Sequence, residues 1–214
     1  MAGEPVVSEQ AGPTPPGRRD AVRNYHRVLE AAREVLGESG ADASMEEIAA
    51  RAGVGVGTVY RRFANKDALI DELLRLSLDD GLEAARQALT CPGGTGLEQF
   101  LRGLGAMFAA HARYAHLLLE RSGDGPAAME IRAAVEELTT RALAAGTLNP
   151  CATHADVMAL IWAMRGLTEV TGGAAPGTWQ RFLDIHLAGL GAPGPLSATP
   201  AMSAGQLAEL MPPG

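Results

Sequence analysis

Apolar residues recur at intervals of three and four along most of the chain, the spacing that places them on one face of an α-helix. Tyr25, Val28, Leu29, Ala32, Val35 and Leu36 trace the first stripe and predict a helix from about Asp20 to Glu38, with Gly40 as its stop. Ser44 and Glu47 have the S-x-x-E spacing of a capping box, which predicts a short helix through Ala52 ended by Gly53. Val56–Phe63 is the next short helix, and Asn65 caps a long one carrying Leu69, Ile70, Leu73, Leu74, Leu78, Leu82 and Leu89. Beyond the break at 91–96, further stripes predict helices over Leu97–His111, about Tyr114–Arg121, Pro126–Ala145, Ala155–Thr171 and Thr178–Leu190. The loops between them hold SGDGP at 122–126, TLNPCAT at 147–153 and GGAAPG at 172–177. No period-two alternation and no internal repeat interrupts this pattern, so the expected fold class is all-α.

The ends differ. Residues 1–17 are rich in Pro and Gly without periodicity and read as a disordered tail, and 191–214 read as mostly irregular with a short turn of helix near Ala204–Leu210. Between them, 18–66 form a helix-turn-helix unit and 67–190 a helical bundle. A helix pair joined by a tight glycine turn is able to place its second helix in the major groove of DNA.

Composition adds constraints. The chain has 214 residues, 47% hydrophobic but only 4% aromatic, so its core must be built from Leu, Ala, Val and Met. The net charge of −7 is unevenly spread. Between Arg18 and Lys66 there are nine Arg and Lys against seven Asp and Glu, while the rest of the chain is acidic. A local basic excess on an acidic body orients the basic end toward phosphate. Apolar runs such as Leu117–Leu119 are too short to span a bilayer, and the N-terminus lacks the basic and apolar regions of a secretory signal. Cys91 and Cys151 make neither a disulfide framework nor metal-ligand spacing, which places the expected setting in the reducing cytoplasm.

The helix-turn-helix divides its residues cleanly. Ala49 and Gly53 are small enough for close helix approach, and Ile48, Val54, Val59 and Phe63 are spaced to pack inward. That leaves Gly55, Val56, Thr58, Tyr60, Arg61 and Arg62 facing outward. Thr58 suits a phosphate or a thymine methyl, Val56 an apolar contact, Tyr60 and Lys66 phosphate oxygens, and Arg61 or Arg62 phosphate or guanine. Lys66 also lies at the start of the long helix, where free backbone N–H groups favour phosphate. With Ser44, these are the candidate DNA-binding residues.

The order G-V-x-x-G-T-V-Y-R-R-F-A-N-K-D-A-L-I resembles the DNA-binding signature of the TetR family of transcriptional regulators, and VLEAAREVLGESGADASMEEIAARAGV is similar to that family's first two helices. The resemblance covers about residues 20–75; the body is similar only in helix count and apolar character. It implies a dimeric, ligand-responsive regulator, a repressor released from a palindromic double-stranded DNA operator by a small apolar effector. It also implies a dimer interface on the last two long helices of the body. The chain departs from the family at Ala41, where an aromatic residue is common, and at Gly55–Gly57, where polar base-reading side chains are common.

In the body, the candidate effector pocket comprises Met107, His111, Leu118, Met158, Trp162 and Arg165, and the candidate dimer interface Leu160, Leu167, Phe182, Ile185 and His186. Arg165 and Glu169 have the spacing of a helical ion pair. His111 and His116 flank Arg113 and Tyr114 without the further ligands a metal needs. No nucleophile–base pair stands at recognisable spacing, so no enzyme activity, cofactor or metal is expected. The alternative is a constitutive or partner-regulated DNA-binding factor without an effector.

Overall fold

The computed structural model describes residues 16–119 and 125–210, and every regular element among them is helical. Helix α1 spans Pro16–Ser39 and runs into a short 3-10 turn, Gly40–Asp42. It begins before the expected Asp20 because a proline is tolerated in a first helical turn, where no N–H is needed. Next come α2 (Met45–Ala52), α3 (Val56–Arg62) and α4 (Lys66–Leu89). The body continues with α5 (Gly96–His111), α6 (Ala115–Leu119), α7 (Pro126–Ala144), α8 (His154–Thr171), α9 (Thr178–Gly191) and α10 (Ala204–Leu210). The expected tail over 1–17, apart from Pro16 and Gly17, lies outside the described residues. So do the loop positions 122–124 and the last two positions of the helix expected over 114–121.

The helix ends follow local chemistry. Ser44 Oγ accepts a hydrogen bond from the Glu47 N–H at 3.1 Å, one half of the expected capping box. Both halves form at α8 instead, where Thr153 and Asp156 exchange bonds between side chain and backbone. Asn65 Oδ1 accepts from the Ala68 N–H at 2.8 Å to open α4. Gly53 ends α2 in the left-handed region at φ 63°, where a side chain would be strained.

Two apolar clusters organise these helices. The first joins Val35 and Leu36 of α1, Ile48 of α2, Val59 of α3, and Leu69, Ile70 and Leu73 of α4. Burying a side chain such as Leu36 or Ile48 contributes about 1.5–3 kcal/mol. The second joins the far half of α4, through Ala85 and Ala88, to Leu97, Phe100 and Leu101 of α5, Leu138 of α7, Val157 and Met164 of α8 and Leu183 of α9. Helix α4 therefore belongs to both. Tyr114, Leu117 and Leu118, from the α5–α6 corner, also pack into the first cluster.

Two positions fix how the body closes. Gly105 of α5 leaves space that the Trp179 ring of α9 fills. Asn149 is buried and fully bonded: its amide donates to the Ala192 and Gly194 carbonyls, its N–H donates to the Leu190 carbonyl at 2.7 Å, and its Oδ1 accepts from the Cys151 N–H at 2.8 Å. The chain after α9 is thereby tied down, and Leu207 of α10 inserts into the second cluster. A segment legible from its residues only as a loop is thus a polar clasp.

Candidate nucleic-acid interface and body cavity

Helix α3 turns Val59 and Phe63 inward, one helical turn apart, and this aims the opposite side at solvent. Val56 and Tyr60 are exposed there, as are Gly55, Gly57, Arg61 and Arg62, with Thr58 half-buried. A Cβ placed on Gly55 or Gly57 would meet nothing within 4 Å, so the fold itself does not require glycine at either position. The Tyr60 hydroxyl reaches the Glu46 carboxylate at 3.4 Å across the turn.

The two arginines differ. Arg61 Nη2 donates to Thr58 Oγ1 at 3.1 Å and stays on the outer face. The Arg62 guanidinium instead lies over the Tyr25 ring of α1, 4.9 Å from its centroid. The Tyr25 hydroxyl donates to Glu72 of α4, and Arg75 holds the same carboxylate with two hydrogen bonds, 2.8 and 2.9 Å. The hydrogen bonds from Arg75, with those from Tyr25 and the nearby charges of Arg75 and Arg62, hold the Glu72 carboxyl down at about 2. Burial raises the Tyr25 phenol, so it remains a donor. This network braces α1, α3 and α4 and borders an open groove of about 610 Å³ beside α3. The sequence pattern places Tyr25 on the apolar face of α1 and Arg62 on the outer face of α3, and gives no sign that Glu72 and Arg75 of α4 join them.

Lys66, expected at a phosphate, is engaged within the head in this structure. Its ammonium donates to the carbonyls of Ala41 and Ala43, the latter at 3.1 Å, in the link between α1 and α2. These carbonyls belong to the 3-10 turn and the residue that caps it, and the start of α4 brings the lysine against them. Ser44 likewise spends its acceptor on the α2 cap. Arg51 is taken by Glu34 and Glu38 at 3.0 and 2.8 Å, away from α3.

Behind the head lies a body cavity of about 510 Å³. Met107, His111, Leu118, Met158, Trp162 and Arg165, scattered over α5, α6 and α8, all line it. Leu74, Ser77, Leu78 and Gly81 of α4 form another wall. Leu118 borders the cavity and also packs in the head cluster. His111 Nδ1 lies 3.3 Å from Ser77 Oγ, and burial, then the positive charge of Arg33, push the imidazole toward its neutral form.

The residues expected at a dimer interface do not share one environment. Leu160 is only 4% exposed and sits in the core of its own subunit, because that side of α8 packs inward, so it is not a surface contact. Leu167 and Phe182 are half-buried, and His186 is exposed with its ring 4.0 Å from that of Phe182. Ile185 is 55% exposed, and Val170, which the apolar α8 stripe contained but did not single out, is 84% exposed. Among the described residues no three His, Cys, Asp or Glu side chains gather as a metal site, and no helix is long and apolar enough to cross a membrane.

A short helix with a glycine turn before it, an outward face free of packing duties and an all-helical body behind define a helix-turn-helix DNA-binding regulator. Residues 28–73 match the family described as bacterial regulatory proteins, tetR family. The fold is similar to the crystal structure of a TetR transcription regulatory protein from Mycobacterium vanbaalenii, at 34% identity over 74% of this chain and 98% of that one, TM-score 0.54. It is also similar to a TetR transcriptional regulator from Streptomyces coelicolor, at 29% identity over 77% and 97% of the two chains, TM-score 0.57. An HTH-type transcriptional regulator of Staphylococcus aureus is 34% identical over 71 residues, a match that spans only 38% of that protein. The chain belongs to the TetR family of DNA-binding transcriptional regulators, a family of regulators rather than enzymes.

Proposed function

We propose that the protein is a homodimeric repressor, acting in the cytoplasm, that leaves a palindromic operator when a small apolar effector enters the body cavity. The observation that carries this reading is the sharing of α4. Its first half packs in the head, through Leu69, Ile70 and Leu73, and its middle lines the cavity, through Leu74, Ser77, Leu78 and Gly81. Leu118 couples the same two regions from α6. An occupant that prefers one arrangement of these walls biases the head by its difference in affinity between the two states, and by no more.

In this reading α3 of each subunit enters a major groove, and the two-fold dimer bridges half-sites roughly 34–36 Å apart. Val56, Thr58, Tyr60 and Arg61 meet the DNA, Gly55 and Gly57 allow the backbone to approach it closely, and Arg62 and Lys66 position the helix. With no polar side chain at 55–57, DNA shape carries part of the specificity. Val170, Ile185 and the Phe182–His186 pair supply the apolar surface of the dimer.

Selection of DNA by the purified protein from a random duplex pool tests the reading. An enriched palindrome bound more weakly as salt rises supports a dimeric, sequence-specific regulator. Enrichment of single, unpaired half-sites sinks the palindromic dimer.

A further inference from the structure

The polar groups around the body cavity are unbalanced in charge. Among the described residues that line it, Arg132 and Arg165 are cationic and none is Asp or Glu. Burial and the charge of Arg33 push His111 toward its neutral form, and Ser77 and Thr168 are hydroxyls. Thr168 is not free to serve a guest, since its hydroxyl donates to the Arg165 carbonyl at 2.7 Å. Ser77 is engaged with His111 and with Met107 Sδ at 3.6 Å. Arg132 has an interaction of its own.

Arg165 is the exception. Its guanidinium is half-buried at the cavity wall and has no hydrogen bond or ion pair within the chain among the described residues. Glu169, four residues on and exposed, acts on it only through space, and desolvation outweighs that help and lowers the guanidinium's affinity for its proton. An arginine remains charged in such a place, and a partly desolvated charge needs a partner that the described residues do not supply. The rest of the wall is apolar: Phe100, Leu104, Met107, Met158, Ile161 and Trp162. A volume of about 510 Å³ falls within the roughly 300–1,000 Å³ usual for small-molecule sites.

We infer that the cavity takes an anionic amphiphile, an apolar chain or ring system ending in one carboxylate, and that Arg165 binds the carboxylate. This deepens the effector reading of the cavity and rests on it. The apolar part fills the space between α4, α5 and α8, and the carboxylate accepts from the fork of guanidinium N–H groups. A charge-assisted contact of this kind favours the acid over its neutral counterpart by about tenfold to a hundredfold. No carboxylate among the described lining residues opposes an anion, and the two guanidiniums disfavour a cationic amphiphile.

The test uses the full-length protein, the neutral dye Nile red as a reporter of the cavity, and decanoate and 1-decanol as competitors matched in length. Gly81→Leu and Ile161→Trp serve as filled-cavity controls. A side chain at Gly81 would enter the cavity beside Ile131 Cδ1, 3.3 Å from its Cβ, and Met107 Cε, 4.0 Å away. The expected result is that decanoate displaces the dye from the parent protein at least about tenfold more effectively than decanol. In Arg165→Met the two competitors become equal with decanol unchanged, and Arg165→Lys recovers part of the difference. Equal competition by both in the parent protein, with the dye lost from the filled variants, overturns the anion inference and leaves the effector cavity standing. A dye that fails to bind the parent, or binds the filled variants as well, overturns the cavity reading and this inference with it. Sedimentation of Arg165→Met provides the last check: a protein that falls to monomers where the parent is dimeric shows the guanidinium serving a partner subunit, and the proposal fails.

Discussion

The Arg62 guanidinium packs on the face of the Tyr25 ring, 4.9 Å from its centroid, so a residue at the end of α3 is fastened to α1. Its neighbour Arg61, about 100° round the helix, remains outside, bonded to Thr58. Arg62→Ala is expected to lower stability by about 0.5–1 kcal/mol, the usual worth of an exposed cation–π contact, as read from urea unfolding. Arg61→Ala is expected to leave that midpoint in place and weaken operator binding, with a salt slope shallower by about one if the contact is to phosphate. An Arg62→Ala protein of unchanged stability that loses sequence preference would reverse the two assignments.

Glu72 makes the head sensitive to acid. Its folded carboxyl is held at about 2 by its hydrogen bonds to Arg75 and Tyr25, against an ordinary value of 4.5. A depressed carboxyl contributes its full stabilisation above about 4.5 and loses it as pH falls toward 2, because the unfolded chain takes up the proton first. Glu72→Gln is therefore expected to be less stable than the parent at pH 7 and to show a flatter decline below pH about 4.5. Parallel stability curves for the two proteins across that window would remove Glu72 from the account.

Two glycines near α3 are expected to respond in opposite directions. Gly57→Ala places a methyl in open space inside a helix and should raise stability by up to about 1 kcal/mol, while weakening operator binding about tenfold or more by holding the backbone off the DNA. Gly53→Ala forces a side chain into the left-handed region at φ 63° and brings its Cβ to 2.6 Å from Arg27 Nη2. It should cost about 1–2 kcal/mol. Thermal unfolding and gel-shift titration of both variants decide the matter. Full operator affinity in a stabilised Gly57→Ala protein would remove close backbone approach from the mechanism.

Gly105→Ala tests the body packing. The new methyl would collide with the Trp179 ring, and Met164 Sδ stands 3.0 Å away. Overpacking of this kind costs about 1–3 kcal/mol. A lowered melting temperature with altered near-ultraviolet circular dichroism is expected; an unchanged melt would mean that α5 and α9 are not so closely apposed.

The proposed dimer is tested at Val170 and Ile185, the exposed apolar residues of α8 and α9. Val170→Asp and Ile185→Asp are each expected to shift the protein toward monomer in sedimentation velocity and to weaken palindrome binding more than half-site binding. Two variants that remain dimeric and bind normally would move the interface elsewhere.

Much of the molecule was legible from local spacing. Most of the helices show a stripe of apolar residues three and four apart, and Ser44, Gly53 and Asn65 mark ends of α2 and α4; such signals act over four residues or fewer. The helix-turn-helix was legible for the same reason: its turn glycine, its inward Val59 and Phe63 and its outward Tyr60 lie within a dozen residues. The six body residues chosen for a pocket do converge on one cavity, since apolar and half-polar positions on neighbouring helices of one bundle turn toward the same interior.

What a side chain does once helices meet depended on contacts between positions distant in sequence. Lys66 looked free for phosphate until packing set it against the Ala41 and Ala43 carbonyls. Leu160 looked like interface until α8 was turned with that side inward. Arg61 and Arg62 were equivalent as a sequence pair, and only the approach of Tyr25 and Glu72, from α1 and α4, separated them. Periodicity states which face of a helix is buried, but not which neighbour buries it; that is decided by the joint packing of all the helices, and it left the Arg165 guanidinium at an apolar wall with no hydrogen bond or ion pair among the described residues.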